Sequence, residues 1–158
     1  MEKVPITPNG VSALKAELKN LRDKERPAII SAIASAREMG DLKENAEYHS
    51  AREKQGFIEA RIKELESVIS RADIIDPSQF TGDTVRFGAT VDIYDEETEE
   101  EVTYMIVGDY EADTDQNRLS LKAPISRALI GKQTGDIVAV RTPRGPKSYE
   151  ILDVRYGS

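Results

Sequence analysis

Two stretches of this chain carry apolar residues at helical spacing and are mirror images of each other, and that symmetry leaves few folds open. Val11, Leu14, Leu18 and Leu21 step by 3-4-3, whereas Ile58, Ile62, Leu65, Ile69 and Ala72 step by 4-3-4-3. Both read as coiled-coil seams. In an antiparallel pair, facing positions have a constant sum, and Leu21/Ile62, Leu18/Leu65, Leu14/Ile69 and Val11/Ala72 all share one. The apex of the hairpin then falls between Asp41 and Leu42, inside Gly40-Asp41-Leu42-Lys43-Glu44-Asn45. At about 1.5 Å per residue, the arm from Val11 to Asp41 spans roughly 45 Å.

Local signals refine the arm. Thr7 is placed to cap the first helix, with Pro8 at the first helical position, where a missing N–H costs nothing. Pro27 follows the leucine seam and predicts a kink or stutter, because it removes a backbone bond and crowds the preceding turn. The helix resumes with Ile29, Ile30 and Ile33 and ends at Gly40. Small residues such as Ala32 and Ala51 face each other near the apex, which suits a narrow tip.

Asp76-Pro77-Ser78 is expected to end the second helix and Thr81-Gly82-Asp83 to form a turn. The expected domains are a coiled-coil arm over 1–76, a linker over 77–83 and a second domain over 84–158. Short β-rich runs follow at 84–87, 89–94, 102–107, 119–121, 137–141 and 148–156, with one short helix near Ser126 to Ile130. The glutamate-rich segment Asp95 to Glu101 reads as a solvated hairpin tip. The fold class is therefore α+β, an antiparallel helical hairpin followed by an antiparallel sheet with a small helix.

Charge and composition narrow the chemistry. Residues 1–76 hold 13 Lys and Arg against 14 Asp and Glu; residues 77–158 hold 9 against 15. The net charge of −7 disfavours binding bare nucleic acid, whose affinity for proteins rests mainly on Lys and Arg. Any action on nucleic acid needs a partner to hold the chain there. The absence of cysteine excludes a thiolate metal site and the single His49 disfavours an imidazole one, so a bound metal would be a hard cation on carboxylates. The sequence has no run of 18 apolar residues and nothing at its start resembling a signal peptide, which predicts a cytoplasmic protein.

At the apex, Asp41 and Glu44 have two readings. The spacing fits a capping box, with Asp41 accepting from the helix amides and Glu44 reaching back. It also fits two carboxylates at the end of an arm, able to complete a Mg²⁺ shell held mainly by another macromolecule and to orient or deprotonate a water. Alone they would bind Mg²⁺ weakly, so the second reading makes the chain half of an active site. Arg37, Lys43 and Arg52 lie near enough to contact a phosphate backbone, or serve as ordinary surface charge. Tyr48 is placed to stack on a base or to pack against Ser35 and Ala51, and His49 reads as a solvated helix residue. Leu42 has nothing of its own to cover at a bare tip, which points to insertion into a partner.

Two segments carry a resemblance. Ala36-Arg37-Glu38-Met39-Gly40-Asp41-Leu42-Lys43-Glu44-Asn45-Ala46-Glu47-Tyr48-His49 resembles the tip signature of the bacterial Gre transcript cleavage factors, and Ala123 to Lys132 resembles their C-terminal signature. The acidic balance favours the less basic of the family's two branches. The resemblance implies an FKBP-like second domain that docks at the RNA polymerase secondary channel, with the coiled coil entering that channel. It implies that the tip helps polymerase hydrolyse the nascent RNA 3' end of a backtracked complex. Carried over by motif, Asp41 would hold a Mg²⁺ shared with polymerase and Glu44 would position the water. Arg37 and Arg52 would contact RNA, and Pro124 would face polymerase. No cofactor is expected to bind stably to the chain alone, and a monomer is expected. The family commonly has serine before that proline; this chain has Ala123, so a hydrogen bond from that side chain is not implied. A cleavage-inactive Gre-type regulator, an FKBP-like prolyl isomerase or chaperone, and a free-standing phosphodiesterase are the competing readings. The intact tip carboxylates, the sparse aromatics and the lack of other metal ligands argue against them in turn.

Overall fold

The computed structural model describes residues 2–40 and 44–157. The chain divides into two compact units, one built on Val11–Ala72 and the other on Lys3–Gly10 with Asp73–Ser158.

The first unit is the hairpin. Helix α1 (Pro8–Asn20) runs into a π-helical turn, Leu21–Glu25, and then α2 (Arg26–Arg37); α3 (Ala46–Ser70) returns. The π turn lies immediately before Pro27, at the position where the sequence predicts a stutter. Pro27 has no N–H to give to the carbonyl four residues earlier, and its ring would crowd that carbonyl in an α-helix. Widening the preceding turn relieves the clash without ending the helix. Val11, Leu14, Leu18, Ile29, Ile33 and Ala36 are buried on the outgoing side, and Ile58, Ile62, Leu65 and Val68 on the return. The seam differs from expectation at four places, one of them Ala72, which lies beyond the helix in a strand. Val68 is buried where Ile69 was expected, Leu21 in the π turn is half-buried, and Ile30 is 52% exposed.

Ion pairs flank this stripe. Arg26 meets Glu59 through two bonds of 2.8 Å, and Arg61 grips Glu17 at 2.6 and 2.8 Å while also reaching Glu64 at 2.7 Å. Arg22 reaches Glu66 at 2.6 Å. The hydrogen bond from Arg61 holds the Glu17 carboxyl below its ordinary range, and Glu17 in turn raises Arg61. Solvent screening keeps such surface pairs weak, so burial of the apolar stripe carries most of the hairpin's stability.

In the second unit, β1 (Val4–Ile6) pairs with β2 (Ala72–Ile74), two short strands that the sequence reading did not identify. The second helix accordingly stops at Ser70, earlier than expected, and Asp76 instead caps a 3-10 turn over Pro77–Gln79. Five strands form the main sheet in the order β5-β4-β3-β7-β6: β3 (Thr90–Asp95), β4 (Glu101–Val107), β5 (Arg118–Ser120), β6 (Ile137–Thr142) and β7 (Gly145–Arg155). The sheet is mixed, which corrects the expectation of a purely antiparallel one: β5 runs parallel to β4. Residues 108–117, with a 3-10 turn at Thr114–Gln116, carry the chain back so that β5 starts in the same direction as β4. Thr84–Phe87 is not a strand and contributes only an isolated bridge from Thr84 to Gln133.

Val91 and Ile93 on β3, Val138 and Val140 on β6, and Tyr149, Ile151 and Val154 on β7 face one core, over which α4 (Pro124–Leu129) lays Leu129. The switch from odd to even positions along β7 follows from a bulge. Asp92 opposes Asp153 while Ile93 opposes Ile151, so Leu152 is the extra residue and the inward face changes parity.

Two polar clusters hold the loops of this unit. Glu111 accepts from the amides of Thr7 (3.0 Å) and Gly108 (2.8 Å) and from the Thr7 hydroxyl, which itself accepts from the Gly10 amide at 3.0 Å as the predicted cap of α1. At the β3–β4 hairpin, buried Asp95 accepts from the amides of Glu97 (2.9 Å) and Thr98 (3.2 Å) and pairs with Lys147 at 2.9 Å. The Lys147 hydrogen bond is the main cause that lowers the Asp95 carboxyl below its ordinary range.

A Cβ added at Gly108 would fall on the Pro5 carbonyl oxygen, a backbone atom that cannot turn aside. Gly108→Ala is therefore expected to destabilise the protein by about 1–3 kcal/mol in urea unfolding; an unchanged midpoint would show that β1 yields freely. The Asp95 cluster sets a pH dependence. Because its folded pKa is depressed, its stabilisation is complete above the ordinary aspartate value of about 3.9 and is lost as pH falls below it. The loss of stability on Asp95→Asn, measured by thermal unfolding, should be largest near neutral pH and shrink below about pH 4.

Candidate functional site at the hairpin tip

The tip lies between the end of α2 at Arg37 and the start of α3 at Ala46, centred where the mirror pairing placed it. Asp41 and Leu42, like Lys43, lie outside the described residues. Glu44 is described and exposed, and among the described residues its side chain has no hydrogen-bond or ion-pair partner.

The cap of α3 is Asn45, which corrects the capping-box reading of Asp41 and Glu44. The Asn45 Oδ1 accepts from the Tyr48 amide at 3.0 Å, and its backbone is extended (φ −89°, ψ 96°) as a cap requires. Glu44 therefore sits before the cap, outside the helix, and cannot be the third helical residue of a box. The sequence signal for Asn45 was present: an asparagine followed by Ala46 and Glu47, with acidic charge in the first turn.

Asn45 also works in the other direction. Its Nδ2 donates to the Ala36 carbonyl at 2.6 Å, one of the carbonyls left open at the end of α2. The Met39 amide reaches the same oxygen at 3.1 Å. Beside this bond, the Arg37 guanidinium lies 6.0 Å from the centre of the Tyr48 ring, within cation–π range. Tyr48 is half-buried, and the His49 ring meets it edge-on at 5.6 Å.

Arg37 and Arg52 come together. Both are exposed and line one groove of about 280 Å³ with Ile30, Ile33, Ala34 and Gln55. Two guanidinium groups on facing helices above an apolar floor suit an extended anion with an apolar or aromatic part. In the second unit, Pro124 is exposed at the first turn of α4, and Ala123 provides no side-chain cap. Among the described residues, no group of three or more carboxylates or histidines is arranged to hold a metal. None of the described helices is long and apolar enough to cross a membrane.

Comparison with known proteins agrees with this architecture. Residues 4–74 match the family described as the N-terminal part of the transcription elongation factors, and residues 80–156 match the GreA/GreB C-terminal family. The chain is 62% identical over 156 residues to the transcription elongation factor GreA of Ruegeria pomeroyi, covering 99% of both proteins. It is 59% identical over 157 residues to that of Rhodospirillum rubrum, covering 99% of this chain and all of the relative. Among solved structures, it is similar to GreA factor homolog 1 of Thermus thermophilus, with 25% identity, coverage of 98% and 99%, and a TM-score of 0.45. With family matches spanning both units and relatives this similar over the full length, the chain belongs to the GreA/GreB family of transcription elongation factors.

Proposed function

We propose that this protein is an elongation factor that enters the secondary channel of RNA polymerase and stimulates the polymerase's own cleavage of backtracked nascent RNA. The observation that carries this reading at the level of chemistry is the capping of α3 by Asn45, so that the exposed Glu44 carboxylate is not the helix cap and has no hydrogen-bond or ion-pair partner among the described residues. Family membership supplies the setting.

In this reading the chain contributes groups to another enzyme's active site and is not an enzyme by itself. Asp41 would help hold a Mg²⁺ shared with polymerase, and Glu44 would orient the attacking water and accept its proton. The fit is to a shared ion, because the described residues offer exposed Glu44 and no three-ligand cluster. When bound, Mg²⁺ would polarise the scissile phosphate and acidify the water. Arg37 and Arg52 neutralise phosphates of the extruded RNA, and the groove they share holds it beside the tip. Pro124 and the start of α4 face polymerase. A chain of net charge −7 depends on that docking to reach nucleic acid at all.

Phe80, one of the two phenylalanines of the C-terminal half, packs edge-on against Tyr156 at 5.6 Å and beneath Arg86. Its ring is thus engaged in internal packing, and nothing at that position favours an isomerase.

Asp41→Asn and Glu44→Gln each preserve side-chain shape while removing charge. Each is expected to lower the cleavage rate of stalled complexes at least tenfold, the lower range for loss of a positioned acid–base group. Full cleavage by either variant would refute the role given to that residue. Arg52→Ala is expected to weaken action on backtracked RNA while leaving competition for polymerase unchanged; loss of docking would contradict an RNA-facing role.

A further inference from the structure

Asn45 commits both ends of its side chain, one to each helix. Its carbonyl oxygen takes the Tyr48 amide of α3, and its amide nitrogen gives a 2.6 Å bond to the Ala36 carbonyl of α2. Capping alone requires only the first. The second closes the base of the loop by joining the last buried residue of α2, Ala36, to the residue that follows Glu44. The Arg37–Tyr48 contact spans the same gap, so the two helices are joined twice within a single turn of the loop. Glu44 is itself exposed and directly precedes Asn45 in the chain.

We propose that Asn45 is a positioning residue for the cleavage reaction: by fastening the start of α3 to the end of α2, it fixes where the backbone presents the Glu44 carboxylate. This rests on the elongation-factor reading above. A carboxylate that orients water must be held within a fraction of an ångström, and the immediate support of such a group decides how well it is held. Asparagine is suited to the task because one planar amide carries both an acceptor and a donor. Aspartate and serine cap helices nearly as well, but aspartate has no N–H to give Ala36. The serine hydroxyl sits on a side chain one atom shorter, too short to cap Tyr48 and reach Ala36 together.

The test uses Asn45→Asp and Asn45→Ser in the full chain with polymerase stalled on backtracked RNA. Both variants should keep the melting temperature within about two degrees, because the cap persists. The factor concentration giving half-maximal cleavage should change less than about twofold, whereas the maximal cleavage rate should fall about tenfold or more. A maximal rate like that of the unmodified protein in either variant overturns the proposal, as does a loss that appears only in the half-maximal concentration. Amide hydrogen exchange gives a readout independent of cleavage. Protection at Met39, whose amide shares the Ala36 carbonyl, should fall about tenfold in both variants while that at Tyr48 persists. Unchanged protection at Met39 overturns the proposal even if cleavage declines. If the unmodified protein stimulates no cleavage, the elongation-factor reading fails on its own, and the exchange result still decides whether Asn45 fastens the loop.

Discussion

The hairpin has only one apolar stripe per helix to bury, and most of its structure follows from that economy. Each Leu, Ile or Val taken from water contributes about 1.5–3 kcal/mol, whereas an isolated helix gains little beyond its own nucleation cost. Leu14, Leu18, Ile58, Ile62, Leu65 and Val68 can be buried only if the two helices run antiparallel along one seam. Residues off the stripe are half-buried or exposed, and at its margins Arg22, Arg26 and Arg61 find glutamates. These pairs set orientation and discourage slippage, because sliding the helices past one another would separate the bidentate Arg26–Glu59 and Arg61–Glu17 bonds.

Pro27 tests how firmly that seam is held. A proline in a helix interior costs about 3 kcal/mol or more, and a sharp kink would carry α2 away from α3. The chain instead takes up the misfit in one π turn, Leu21–Glu25, and none of the residues in that turn is fully buried. Beyond it Ile29, Ile33 and Ala36 return to the seam, so the wide turn accounts for the half-exposed Leu21 and lets the core continue to the tip. The break in helical phase between Leu18 and Ile29 is thus a property of the fold and not a flaw in the pattern.

Long-range periodicity made the hairpin legible in the sequence, and local signals gave the cap at Thr7, the stutter before Pro27 and the glutamate-rich turn after Asp95. What escaped was short or relational. Val4–Ile6 and Ala72–Ile74 are three residues each, too few for alternation to be distinguished from chance, and their pairing joins opposite ends of the hairpin sequence. Val68 was missed because a strict heptad drifts relative to a real helix, and the buried face shifted by one residue along α3. The parallel placement of β5 depends on the path of residues 108–117, which no local pattern records. At the tip, the resemblance groups Arg37 with Arg52, but the groove they line with Ile30 and Ile33 exists only once the helices are paired. Asn45 was overlooked because its more informative bond, to Ala36, crosses the loop.

That last omission bears on how a tip of this kind can be built. A loop joining two helices leaves unpaired carbonyls at one end and unpaired amides at the other, and acidic side chains are natural partners for the amides. Had Glu44 met that need, its charge would have been directed into the helix and partly neutralised there. Placing one neutral amide between the two helix ends satisfies a donor and an acceptor together, without using the Glu44 carboxylate. In the proposed reading, Asn45 carries the structural duty between the helix ends, and the Glu44 carboxylate is left to the chemistry.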